Sequence, residues 1–107
     1  MTRKPIRVQQ RRTAGWRKPE GAIAVGRGTR WGNPFVVGRG RDQVRTNLEA
    51  VEKYRAYVLS EPGMLTEVRR WLVGADLMCW CRIGEPCHAD VLLALANNTP
   101  YGPVVPA

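Results

Sequence analysis

The chain has 107 residues, 44% of them apolar and 24% charged, with a net charge of +8. These are ordinary globular values, which favour neither wholesale disorder nor a membrane protein. No apolar run approaches the roughly 18 residues of a spanning helix, so a membrane partner is not expected.

The charge is unevenly placed. Residues 1–45 hold twelve Lys and Arg against Glu20 and Asp42, whereas the remainder is slightly acidic. A basic half of this kind reads as a surface facing an anionic partner: a nucleotide or nucleic acid first, an acidic host protein second. The N-terminal "MTRKPIRVQQRR" is basic but lacks the apolar run of a secretory signal, which predicts a cytoplasmic protein with reduced thiols.

In chain order, "IRVQQRR" (6–12) alternates as a strand does, and "TAGWRKPEG" is a loop of turn formers. "AIAV" (22–25) is a short continuous apolar run, as in a strand covered on both faces. "GRGTRWGNPFVVGRGR" then predicts a glycine-rich loop around a short "FVV" strand. From Asp42 the spacing of Val44, Leu48, Val51, Tyr54 and Val58 predicts a helix with one apolar stripe and Asp42 at its start. Met64, Leu65, Val68, Trp71 and Leu72 predict a second, closed by Gly74. "ADLMCW" (75–80) reads as a core strand, and a loop leads to Pro86 and a third helix, "CHADVLLALAN", ending at Asn97–Asn98. The expected architecture is α/β: a small sandwich over 1–98 with a short mixed or parallel sheet and about three helices, followed by a Pro-rich extended tail, 99–107.

Two clusters carry candidate chemistry. The first is Cys79, Cys81, Cys87 and His88, four ligands of the kind zinc prefers. Against zinc stands the spacing, since metal ligands usually come in pairs two to four residues apart. Adjacent helical residues also diverge by about 100°, which separates Cys87 from His88. No cofactor is therefore favoured, and zinc stays open. A helix start at Cys87 would lower its thiol pKa and make it a candidate nucleophile, with His88 as acid or base and Asp90 to orient it. The same turn could hold a phosphate or carboxylate. The simplest alternative is a buried core thiol at Cys79 and a histidine bonded to a nearby carbonyl.

The second cluster is "GRGTRWGNPF" (26–35). It lacks the dinucleotide fingerprint and the Lys-Ser/Thr ending of a phosphate loop. It offers Arg27 and Arg30 as phosphate-binding forks, Thr29 and Asn33 as hydrogen-bonding groups and Trp31 as a stacking surface. Arg17, beside Trp16, repeats that chemistry upstream. The alternative is that Trp31 and Phe35 are core anchors and Asn33-Pro34 only a turn.

Together, "GWRKPEGAIAVGRGTRWGNPF" and "LMCWCRIGEPCHADVLLALAN" resemble a family of small uncharacterised domains common in bacteriophages and prophages. The resemblance spans about residues 6–97 and includes Trp31, Gly32, Asn33, Pro34, Cys79, Cys81, Cys87, His88 and Asp90. It implies no catalytic role for any of them. Where many members carry Pro-Leu after Cys-Trp-Cys, this chain has Arg82-Ile83. The combined expectation is a nucleotide- or nucleic-acid-binding pocket formed by the loop 26–35 and the helix start 87–90. The alternatives are a nucleotide-processing enzyme using Cys87 and His88, and a host-takeover protein.

Overall fold

The computed structural model describes residues 5–99. Three short parallel strands form one sheet: β1 (Arg7–Gln9), β2 (Ile23–Ala24) and β3 (Leu77–Cys79), in the order β1-β3-β2. Helices α1 (Asn47–Ser60), α2 (Met64–Leu72) and α3 (His88–Ala96) complete the α/β domain. The tail beyond residue 99 lies outside the described residues.

β3 is the centre of the sheet and is buried along its whole length, which its unbroken Leu-Met-Cys run allows. Its backbone serves both neighbours. Leu77 N–H donates to Ile6 and Gln10 N–H to Cys79 on one side, while Ile23 N–H donates to Asp76 and Val25 N–H to Met78 on the other. Asp76 also accepts from Ile6 N–H through Oδ1 at 2.9 Å, holding the entry of β1 beside the entry of β3.

α3 lies against α1, α2, β1 and β3. Its Ala89, Val91 and Leu92 join Val51, Tyr54, Val58, Val68, Leu72 and Leu77 in the core. α2 runs over the residues its period predicts, and Gly74 follows it with φ of 76°, a conformation that glycine adopts freely. Trp71, expected on the apolar stripe, is exposed instead and donates its indole N–H to Glu67 at 2.6 Å.

α1 begins later than the apolar spacing suggests. Thr46 is the N-cap, accepting from Glu49 N–H at 3.1 Å. Val44 is buried, but as part of a bridge to Val37, with Gly38 N–H donating to Val44 and Val44 N–H to Val36. The Gln43 side chain accepts from Gly40 N–H and Arg45 donates to the Gly38 carbonyl, so residues 38–45 close into a turn, and the helix expected from Asp42 has not yet begun there. The "FVV" strand is reduced to that bridge. Leu48, placed on the stripe by its spacing, is exposed in the first turn of α1.

Tyr54 ties α1 to the glycine-arginine loop. Its ring is fully buried, and its hydroxyl donates to the Trp31 carbonyl at 2.7 Å. Burial raises its pKa, keeping the hydroxyl protonated as a donor. Tyr54→Phe keeps the ring and leaves the buried Trp31 carbonyl without this donor. The expected loss is about 1–3 kcal/mol of stability, read from urea unfolding. A change within experimental scatter would mean that the loop is held by its own turns alone.

Candidate functional site

Residues 26–35 fold into two consecutive tight turns. Thr29 N–H donates to the Gly26 carbonyl and Gly32 N–H to the Thr29 carbonyl, both at 3.1 Å. A Cβ on Gly32 would stand 3.0 Å from the Gly26 carbonyl oxygen and 3.1 Å from Arg27 Cα, so the close return of the chain depends on glycine there. Thr29 Oγ1 donates to the Gly26 carbonyl. Arg27 forks onto the Asn33 and Phe35 carbonyls at 3.1 and 3.2 Å. Asn33 is buried; its amide donates to the Ala50 carbonyl at 3.1 Å and its Oδ1 accepts from Phe35 N–H at 2.8 Å.

This inward bonding changes the roles expected of the loop. Trp31 is only 6% exposed, and the Arg30 guanidinium lies over its ring at 4.5 Å, so it offers no open stacking face. Arg30 also pairs with Glu67 at 3.8 Å. Both residues turn toward a separate hollow of about 370 Å³, shared with Tyr57, Pro62 and Met64. The Asn33 amide and the Thr29 hydroxyl hold the loop's own backbone, because a chain doubled back so sharply leaves carbonyls and N–H groups that neighbouring side chains must satisfy. Arg17 is exposed in the segment between β1 and β2.

The second cluster converges. Cys79 ends β3, Cys81 follows it half-buried, and Cys87 is the N-cap of α3. The three sulfurs all lie within 4.8 Å of one another, with Cys79 and Cys87 only 3.0 Å apart. Three close cysteines of this kind could hold a metal ion. Trp80, between Cys79 and Cys81, is 45% exposed, with the Arg12 guanidinium over its ring at 5.0 Å.

His88 is fixed on two sides. Its Nε2 is bonded to the Val25 carbonyl at the end of β2, and its ring meets Tyr54 edge-on at 5.2 Å. Because a carbonyl only accepts, Nε2 carries the proton and Nδ1 is left as a lone pair, 3.8 Å from Cys87 Sγ. Burial lowers the pKa of His88, keeping the ring neutral.

The thiols divide their ionisation unequally. Cys81 has its pKa lowered by hydrogen bonds from Cys79 and then Cys87. Cys79 is pushed up to about 11, chiefly by its bond to Cys81. Cys87 is raised by the bonds to Cys79 and Cys81 and by burial. The sequence suggested that the helix start would lower the Cys87 thiol; the neighbouring sulfurs and burial outweigh that field. The most acidic sulfur is Cys81, which is also the most exposed of the three.

Arg7, which nothing in the sequence singled out, braces this cluster. It leaves β1 to donate to the Glu85 and Arg82 carbonyls at 2.9 and 3.1 Å, clasping the loop between Cys81 and Cys87. Its Nη1 also stands 3.2 Å from Asp90 Oδ2, a buried atom that accepts no aligned hydrogen bond. Burial pushes the Asp90 carboxyl up despite Arg7 beside it. For Arg7 burial acts to lower the pKa, but Asp90 and Cys87 outweigh it and the pKa is raised. Only the alternation of β1 hinted at this side chain, since Arg7 lies between Ile6 and Val8.

Part of the loop 26–35 and the start of α3 meet at a cavity of about 140 Å³, lined by Gly26, Arg27, Asn33, Cys79, Trp80, Cys81 and His88. It opens at the carboxyl ends of β2 and β3, where open parallel sheets place their ligands. The molecule is thus a small parallel α/β domain with a thiol-lined cavity at the carboxyl edge of its sheet. The chain belongs to the family described as Domain of unknown function (DUF4326), which matches residues 8–98. No curated protein and no solved structure matches it. Among the described residues no helix is long and apolar enough to cross a membrane.

The Arg7 clasp can be tested by a double-mutant cycle. Arg7→Met leaves the partly buried Asp90 carboxyl without its counter-charge and removes the bonds to the Glu85 and Arg82 carbonyls, and should cost about 1–3 kcal/mol. Asp90→Asn should restore part of that loss in the double variant, with a coupling of about 0.5–3 kcal/mol from urea unfolding. Strict additivity would mean that the ion pair is not what holds the loop.

Proposed function

We propose that this domain is a phage-type module, acting in the cytoplasm of the host cell, that binds a nucleotide or a nucleic-acid segment at the thiol-lined cavity. The observation that carries this reading is the junction itself: one cavity bounded by the glycine-arginine loop and by the start of α3, at the carboxyl ends of two parallel strands. At about 140 Å³ it is well below the volume of roughly 300 Å³ at which drug-sized ligand pockets begin. It suits one ring-sized group, such as a base, with sugar and phosphate left outside. Trp80 supplies the exposed aromatic face at the rim. Arg12 packs on one side of that ring, and Arg11, Arg17 and Lys18 lie on the same exposed segment, a concentration of positive charge for phosphates. Arg27 and Asn33 form part of the wall, Thr29 holds Gly26 behind it, and Arg27 remains exposed.

Tryptophan fluorescence, titrated with nucleoside monophosphates and with a short single-stranded oligonucleotide at several salt concentrations, tests this. Binding should weaken steeply with salt, and Arg12→Ala should reduce the slope by about one unit. Trp80→Ala should cost about 1–3 kcal/mol of affinity. Quenching that is indifferent to salt and to both substitutions would remove the reading.

A second reading is favoured by the mutual distances of the sulfurs: Cys79, Cys81 and Cys87 hold zinc, the ion that suits thiolate ligands on a site without redox demands. Native mass spectrometry of protein purified without chelator should show one zinc per chain, lost in Cys81→Ser. A bare mass, both as purified and after zinc is added, would exclude it.

A further inference from the structure

We propose that His88 Nδ1 is the fourth ligand of that zinc, so that the protein alone closes the coordination shell and the metal works as a clasp between β3 and α3. This rests on the zinc reading above and adds to it the identity of the last ligand and the role of the ion.

Three observations support the assignment. The first is the tautomer. Histidines that bind metals nearly always donate their other ring N–H to a carboxylate, a backbone carbonyl or water, which fixes the ring and leaves the ligating nitrogen bare. His88 has this arrangement already: with Nε2 donating to the Val25 carbonyl, the neutral ring carries its lone pair on Nδ1.

The second is distance. With zinc–sulfur and zinc–nitrogen bonds of about 2.3 and 2.0–2.1 Å, a tetrahedral shell sets sulfur and nitrogen roughly 3.6 Å apart and two sulfurs roughly 3.8 Å apart. Cys87 Sγ and His88 Nδ1 stand 3.8 Å apart, whereas the set of atoms within 4.8 Å of one another is the three sulfurs without the imidazole, so the ring has to close on Cys79 and Cys81 when the ion binds. The 3.0 Å between Cys79 and Cys87 Sγ is shorter than the shell requires, and an ion among the sulfurs would spread them by less than 1 Å, within the 4.8 Å that contains all three.

The third is backbone. Two consecutive helical residues could not easily share one ion, but Cys87 is not helical. As the N-cap it has φ of −147° and ψ of 142°, and only His88 begins the helix. The extended cap residue turns its sulfur back toward the imidazole beside it.

A closed shell has a functional consequence. It leaves no position for a water or a substrate atom on the ion, so the metal supplies structure: it joins the end of β3 to the start of α3 across the loop that Arg7 clasps. Ligand recognition then falls to the remaining wall of the cavity, Gly26, Arg27, Asn33 and Trp80.

The test is zinc K-edge X-ray absorption on the wild-type protein, stripped of metal and reloaded with one equivalent of zinc. The expected shell is three sulfurs at about 2.3 Å and one nitrogen at about 2.0–2.1 Å, with the outer-shell scattering of an imidazole ring. In His88→Cys the same measurement should give four sulfurs. Three sulfurs with a light atom lacking imidazole scattering would overturn the assignment while leaving the zinc reading intact. Failure of the wild-type protein to take up zinc would overturn both.

Discussion

Among the described residues, the hydrogen bonds that join the strands of the sheet all pass through β3. The sheet has three strands among these residues, its outer ones as short as two residues, and no second central strand to share that role. β3 is therefore buried on both faces and carries the apolar residues Leu77, Met78 and Cys79 in succession. The same constraint puts whatever follows Cys79 at the carboxyl edge of the sheet, between the ends of β1 and β2. The turn into α3 has to be made there, in a space closed by Val25 on one side and Arg7 on the other.

The chemistry of the site follows from that crowding. Three sulfurs brought within 4.8 Å of one another cannot all ionise in a half-dry environment, and the neutral thiols stabilise one thiolate by donating to it. Those contacts make Cys81, the most exposed of the three sulfurs, the thiol of lowest pKa, with Arg7 and Asp90 beside the cluster as a partly buried ion pair. His88 stays neutral because it is buried and its proton is committed to Val25. A cluster of thiols with a neutral, oriented imidazole is suited to a soft or borderline cation, whereas a reactive cysteine would need access that Cys87 lacks.

The glycine-arginine loop shows how a motif rich in ligand-binding chemistry can be spent on its own shape. Its forks, amide and hydroxyl face inward because a chain that reverses twice within ten residues exposes more carbonyls and N–H groups than it can pair by itself. What it contributes to the cavity is a wall of backbone and the flank of Arg27. The aromatic face available there comes from Trp80 in the other motif, and the positive charge over it comes from Arg12, at a distance in sequence from both.

Periodicity and turn chemistry in the sequence were sufficient for the α/β class, the three helices and the central strand, since these depend on local spacing: Val68 and Leu72 for α2, the unbroken apolar run for β3, Asn97 for the end of α3. The same local reading placed Cys79, Cys81, Cys87 and His88 together, because only five residues separate the two pairs. It misjudged the start of α1, where the Val37–Val44 bridge captures a residue that also fits a helical stripe. The sequence could not reveal that the sheet is parallel throughout, that Arg7 reaches across it to the loop before α3, that Trp31 is buried beneath Arg30, or which nitrogen of His88 holds the proton. Each of these depends on a partner dozens of residues away: Glu85 for Arg7, Tyr54 for the Trp31 carbonyl, Val25 for His88. Spacing along a chain determines which face a side chain takes on its own element, and only tertiary packing determines what that face meets.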